Sequence, residues 1–361
     1  MQDKIQSALS STVSEINFSK ANFHHKGKVR DSFVLDNQRR AIVVTDRISA
    51  FDFVLGTVPF KGQVLNQITA WWFKKLDGMV PHHLIEVPDP NISLVKNVQP
   101  LPVEIIVRGY LTGSTKTSSW YAYQNLDRNI CGLEMPEGMK KNQSFATPII
   151  TPTTKGQSSI SNYQSSIRGN GQEVGHDESI TKQEIIERGL VEKSVYEQAE
   201  NYALKMFSLG QKLAVERGLI LVDTKYEMGI DQEGNLIVID EVHTPDSSRY
   251  WIVNKNQSSI FNYQSSIRKK TEEDNQGVRP IIGDDGEPVG LDKEFVRRAI
   301  VDSGYDVNDE TQNPSDFLTD EIRVSASKKY IELYERMTGE KFVFPDDLKA
   351  GERIEKALLE L

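Results

Sequence analysis

Residues 219–229, LILVDTKYEMG, carry Asp223, Lys225 and Glu227 at alternate positions, and residues 236–241, LIVIDE, end in two adjacent carboxylates, Asp240 and Glu241. Side chains alternate along a strand, so the first three share one face. The polar run Asp231-Gln232-Glu233-Gly234-Asn235 lies between the two apolar segments and predicts a hairpin. With its turn centred between Gln232 and Glu233, Lys225 faces Asp240 and Glu227 lies on the diagonal. Three carboxylates and an ammonium then converge. Such a set suits a hard divalent cation, with the lysine holding a phosphate beside it. The same residues would also make a cross-strand salt bridge on a solvated face. Leu221, Val222, Ile237 and Ile239 favour burial of both faces, and a buried carboxylate needs a cation or a metal.

Three further groups could handle anions. KGKVRD sets Lys26, Lys28 and Arg30 around Gly27, where a backbone without a side chain can approach a phosphate closely. VRGYLTGS supplies Arg108 and Ser114, and TPDSSRYW supplies Arg249. Guanidinium forks suit phosphate and carboxylate, although a solvated basic turn or a structural arginine is the plainer reading of each. GHDE adds His176, Asp177 and Glu178. No GxxxxGK[ST], HRD or DFG string occurs, no two histidines stand at i, i+4, and GNGQEVG misses the dinucleotide fingerprint.

The elements that position these residues follow from periodicity. Residues 27–45 read as a hairpin around Asp36-Asn37-Gln38, and a strand runs from Val103 to Val107 after a pair of prolines that marks a candidate boundary. Val195, Ala199, Tyr202, Met206, Leu209 and Leu213 form the stripe of an amphipathic helix that Gly218 stops. EFVRRAI and KKYIELYERM predict helices in the tail. QSSISNYQSSIR at 157–168 returns as QSSIFNYQSSIR at 257–268; its Ser, Gln and Asn content predicts exposed insertions.

The 361 residues suffice for roughly two domains. A formal charge of −9 argues against a sequence-independent nucleic-acid binder. No apolar run reaches the length of a spanning helix, the N-terminus lacks a signal peptide's apolar core, and Cys131 is the only cysteine, so a cytoplasmic location without disulfides is expected.

GKVRD, TDRISAFD, KG (61–62), VEIIVRGYLTGS, TPTTK, GHDE, LILVDTKYEMG and DEVHTPDSSRYW occur in an order that resembles the phosphoribosylaminoimidazole-succinocarboxamide synthase (SAICAR synthetase) family. The resemblance spans roughly residues 20–252 and resumes at LDKEFVR. It implies a two-domain α+β fold: a β-rich ATP-covering lobe at 1–102, similar to the protein-kinase small lobe, then an α+β domain at 103–361 with C-terminal helices. Polar insertions near 156–172 and 253–280 depart from the family pattern. The implied activity joins L-aspartate to carboxyaminoimidazole ribonucleotide with ATP and Mg²⁺. Carried over by motif, Lys28, Arg30, Glu104, Lys225, Glu227 and Asp240 handle the nucleotide, with Glu227 and Asp240 on the metal. Ser49, Arg108, Ser114, Asp177 and Arg249 surround the ribonucleotide, and Asp223, Lys225 and Asp177 are the catalytic candidates. The expected partners are these small molecules, with no nucleic acid or membrane, in a monomer or a homodimer. A nucleotide-binding homologue silenced by its insertions, or another ATP-dependent carboxylate-amine ligase, is the alternative.

Overall fold

The computed structural model describes residues 1–16, 18, 23–115, 117–155, 178–254, 278–345 and 349–361. Both copies of the duplicated segment and Asp177 lie outside them. After α1 (Gln2–Ser7), strands β1 (Phe23–Lys26), β2 (Arg30–Val34) and β3 (Arg39–Val44) run antiparallel, with Arg30 opposite Val44 as the hairpin reading requires. The connecting turn is tight because Asp36 Oδ1 accepts the backbone N–H groups of Gln38 (2.8 Å) and Arg39 (2.7 Å). A hairpin of β4 (Arg47–Ala50) and β5 (Phe53–Thr57) leads into α2 (Lys61–Leu76), and β6 (Leu84–Asp89) and β7 (Ile92–Lys96) complete a sheet of order β1-β2-β3-β7-β6.

Gly62 lets α2 start against that sheet. A Cβ there would lie 2.2 Å from Val44 O, and its N–H donates to Asp46 Oδ1 at 2.9 Å. Gly62→Ala is expected to lower unfolding free energy by about 2 kcal/mol through overpacking. A denaturant midpoint equal to wild type would show that the two backbones can part freely.

The second sheet is built around one long strand. Short β8 (Gln99–Pro100) precedes β9 (Val103–Leu111); then come α3 (Ser119–Gln124), the small β10 (Asn129–Ile130) and β11 (Leu133–Glu134) hairpin, β12 (Gln143–Ile150) and β13 (Thr153–Thr154). Helices α4 (Lys182–Glu187) and α5 (Lys193–Glu216) follow, then β14 (Leu219–Ile230), β15 (Leu236–Ile239) and β16 (Ser248–Ile252). The order is β12-β9-β14-β15, with β16 and β8 also on β14 and β13 on β9. Helix α5 contains the predicted 195–213 stripe and ends just before Gly218, whose φ of 71° is left-handed.

The β14–β15 hairpin differs from the expected register by one residue. Glu227 faces Ile239 and Met228 faces Val238, so Lys225 is not opposite Asp240. The turn explains the slip. Asp231 N–H donates to Asn235 O at 3.0 Å, Asp231 Oδ1 accepts from Glu233 and Asn235, and Gly234 takes φ 84°, which centres the loop on Glu233.

The tail is helical as expected, in α6 (Glu294–Asp302), α7 (Asp320–Thr338) and α8 (Ala350–Leu359). Thr319 caps α7 and left-handed Gly339 ends it. α7 packs on α2, while α8 packs on the first sheet through Ile354 and Leu358 against Phe33, Val43 and Ile92. One apolar cluster joins both sheets: Trp72 of α2, Ile105 of β9, Phe207 of α5, Tyr226 of β14 and Tyr330 of α7 are all buried in it. The site rests on this core. Among the described residues no helix is long and apolar enough to cross a membrane.

Candidate active site

Strand β14 presents its charged residues to two different neighbourhoods. Lys225 Nζ donates to Glu104 Oε1 on β9 at 2.6 Å and to Glu227 Oε1 at 2.7 Å. Lys155, which follows β13, donates to the other oxygen of Glu227, and Thr153 Oγ1 donates to Glu104 Oε2 at 3.2 Å. Burial alone would raise the Glu227 carboxyl, yet Lys155 and Lys225 hold it well below the usual carboxylate range. Lys225 is disfavoured by burial in the same way, but Glu104, Glu227 and Asp240 keep its ammonium firmly protonated.

Asp240 leaves the ladder where β15 ends, at a left-handed φ of 62°. Its carboxylate meets Arg30 of β2, with Nη1 3.1 Å from Oδ1, and the same guanidinium reaches the adjacent Glu241. Glu241 also accepts from Thr244 Oγ1. Arg30 thus neutralises the pair of acids that closes the apolar strand. Burial, with Glu227 and Glu241 adding and Arg30 opposing, pushes the Asp240 carboxyl up to about 6. The site here is short of positive charge.

Asp223 does not join that group, against the expected convergence of three acids on Lys225. The register sets Arg249 of β16 opposite it on one side and Arg108 of β9 on the other. Arg249 Nη1 donates to Asp223 Oδ2 at 2.6 Å, and Arg108 Nη1 lies 3.5 Å from the same oxygen. Each acid therefore has its own cation, rather than Lys225 relieving all three. Among the described residues no group of three or more His, Cys, Asp or Glu could hold a metal ion by itself.

Beyond Arg249, Glu294 of α6 accepts from Ser114 Oγ at 2.8 Å and from Arg297 Nη1 at 3.0 Å. Fully buried Lys61 pairs with Asp246 at 2.7 Å, and Tyr330 donates to the same carboxylate. Asp223 and Lys225 both face one cleft of about 180 Å³, lined among others by Arg108, Asp246, Arg249 and Lys293, while Glu104, Glu227, Asp240 and Arg30 are not among its lining residues. Burial, with Arg297 and Lys61 adding and Asp246 opposing, lowers the Lys293 ammonium to about 8.

Lys28 and Ser49 stand apart from the residues that line this cleft. Lys28 reaches Asp52 at 3.0 Å across two exposed side chains, and Ser49 sits on β4 opposite Val54. Reading by residue type gave no role to Lys61, Lys155, Lys293 or Glu294. Lys61 and Lys155 stand in the KG and TPTTK strings and Lys293 in LDKEFVR, so a signal was present, but only the folded strands show which carboxylates they meet.

A fold with two antiparallel sheets on a shared core and a cleft of paired charges defines a class that handles anionic small molecules. The SAICAR synthetase family profile matches residues 23–282. A phosphoribosylaminoimidazole-succinocarboxamide synthase of Legionella pneumophila is 42% identical over 322 residues, covering 89% of each chain. One from Bacteroides fragilis is 40% identical, covering 96% of this chain and 97% of its own. Among solved structures, SAICAR synthase from Saccharomyces cerevisiae complexed with SAICAR matches with a TM-score of 0.68 at 29% identity, over 92% of this chain and 100% of that one. A SAICAR synthetase in complex with ADP shares the fold at a TM-score of 0.58 and 20% identity, over 89% of this chain and 100% of that one. The chain belongs to the SAICAR synthetase family, ATP-dependent ligases of purine biosynthesis.

Proposed function

We propose that this ligase joins L-aspartate to carboxyaminoimidazole ribonucleotide with ATP, giving SAICAR, ADP and phosphate in the cytoplasm. The observation that carries the reading is the division of the cleft. One side holds Lys225 between Glu104 and Glu227, the other holds Asp223 between Arg108 and Arg249, and Asp223 and Lys225 stand at alternate positions of β14. Relatives that bind SAICAR and ADP support it.

A carboxylate is a poor acyl donor, so the substrate's carboxylate first takes the γ-phosphoryl group to become an acyl phosphate. The amine of aspartate then attacks the acyl carbon, the C–N bond forms, and phosphate leaves with the acyl C–O bond. Lys225 and Arg30 lie against the nucleotide phosphates, Lys28 reaches them from the exposed turn between β1 and β2 on leaving Asp52, and Glu104 meets the nucleoside end. Arg108, Ser114 and Arg249 take the ribonucleotide, and Ser49 and Asp177 are assigned to it by the family motifs alone. Asp223 or Asp177 receives the amine proton; Asp223 must first loosen from its two arginines.

Glu227 and Asp240 fit magnesium. That ion is commonly held by one or two carboxylates plus substrate phosphates, and these two would take it by giving up a lysine contact of Glu227 and the Arg30 contact of Asp240. When bound, it offsets the charge on the phosphoryl group in transfer.

Phosphate release with ATP, ribonucleotide and aspartate, omitting each in turn, tests the reaction; release that ignores aspartate, or none with all three present, overturns it. Arg108→Ala and Arg249→Ala are expected to weaken ribonucleotide binding by about 2 kcal/mol, roughly 30-fold, and to leave ATP binding nearly intact. Equal losses for both ligands in titrations would remove this division of labour.

A further inference from the structure

Glu294 is a half-buried carboxylate standing among the donors that the ribonucleotide needs. It sits in the first turn of α6, with its backbone N–H donating to Asp292 Oδ1 at 2.9 Å. Its own oxygens take Ser114 Oγ at 2.8 Å and Arg297 Nη1 at 3.0 Å, and Arg249 Nη2 lies 3.7 Å away. The side chain is 13% exposed. Burial would raise its carboxyl, but Arg249 and Arg297 hold it down to about 2, so it is ionised at neutral pH.

The inference rests on the reading above, in which Ser114 and Arg249 take the substrate. A phosphomonoester asks of them what Glu294 already takes, a hydroxyl donor and one arm of a guanidinium fork. Two anions within a few Å of one another repel strongly in a cleft of low effective dielectric. Both cannot hold these donors. Arg297, three residues on in the same helix, stays within reach of Glu294 and can keep it paired when the other two donors turn away.

We propose that Glu294 is a built-in counter-anion of the substrate subsite, holding Ser114 and Arg249 in the unliganded enzyme and giving them up when the ribonucleotide's phosphate arrives. It keeps Arg249 in place in the unliganded enzyme and lowers the affinity of the subsite for every anion that enters it.

The test uses Glu294→Gln, which keeps an acceptor for Ser114 and loses the charge. Titration calorimetry of the full chain with ribonucleotide and, separately, with inorganic phosphate compares it with wild type at low and high salt. The variant is expected to bind both about 10-fold more tightly at low salt, with a smaller gain at high salt. Arg249→Ala is measured in parallel. Unchanged or weaker binding in Glu294→Gln, beside weakened binding in Arg249→Ala, overturns the counter-anion and leaves Arg249 its assigned role. Wild-type binding in Arg249→Ala as well removes the ribonucleotide reading of this subsite, and the inference with it. If Glu294→Gln does not fold, Glu294→Asp withdraws the carboxylate from Ser114 by one methylene, and the absence of any gain in that variant overturns the proposal equally.

Discussion

Lys225→Met is expected to lower turnover by roughly 10²–10³-fold, the loss seen when one preorganised charge is removed from a reacting site. Its ammonium bridges Glu104 on one strand and Glu227 on its own, and it faces the cleft that Arg108 and Arg249 also line. Methionine fills a similar volume without the charge. Lys155 still holds Glu227, so the nearby structure keeps one of its cations. The stability loss is expected to be about 1–2 kcal/mol; the 3–5 kcal/mol of a fully buried broken pair is too large here, because Lys225 is 31% exposed. Steady-state turnover and a melting curve check this together. The expected pattern is a large fall in kcat with a small change in the KM for ribonucleotide. A variant within about threefold of wild type would show that Lys225 holds the strands together and does nothing for the phosphoryl group.

Much of this arrangement was legible in the chain itself, for stated physical reasons. Alternation fixed which residues of β14 share a face, and the stripe from Val195 to Leu213 fixed α5, because both patterns depend only on local geometry. The register of β14 against β15 was not legible to one residue. It depends on how Asp231 and Gly234 fold the turn, and a one-residue slip there is enough to move Asp240 off Lys225. Long-range partners were harder still. Nothing near Asp240 in the sequence points to Arg30, which reaches it from the first sheet, and nothing near Lys61 points to Asp246. The separation of Asp223 from Glu227 shows the same limit. Both lie on one strand face, as alternation requires, but the flanking strands deliver Arg249 and Arg108 to one, while the other meets Lys225 of its own strand and Lys155 from just beyond β13. Charge type could be read from residue letters; charge pairing could not.

Asp240→Asn separates the metal reading of this strand from a purely structural one. The substitution keeps the size and the left-handed turn, which Asn tolerates well. Arg30 keeps Glu241 as a partner, so no guanidinium is stranded. The raised carboxyl sets the expected sign of the stability effect. A carboxyl held at about 6 in the fold against an ordinary 3.8 favours the neutral form. Its contribution is therefore fully present below pH 3.8 and lost as pH rises through 6, by on the order of 2–3 kcal/mol. Asparagine cannot ionise and escapes that loss. The variant should melt higher than wild type at pH 7, and the difference should shrink towards zero near pH 4. Turnover should move the other way, falling by about 100-fold because the carboxylate proposed to face magnesium is gone. Raising Mg²⁺ should recover part of the rate if Glu227 keeps a weakened site. Melting curves at both pH values and turnover against Mg²⁺ concentration give all three quantities. Normal turnover at limiting Mg²⁺ would leave Asp240 as nothing more than the partner of Arg30. A lower melting temperature at pH 7 would instead show that the Arg30 pair outweighs the cost of burying the charge, since two effects of opposite sign meet on this one carboxylate and only their balance decides which variant is the more stable.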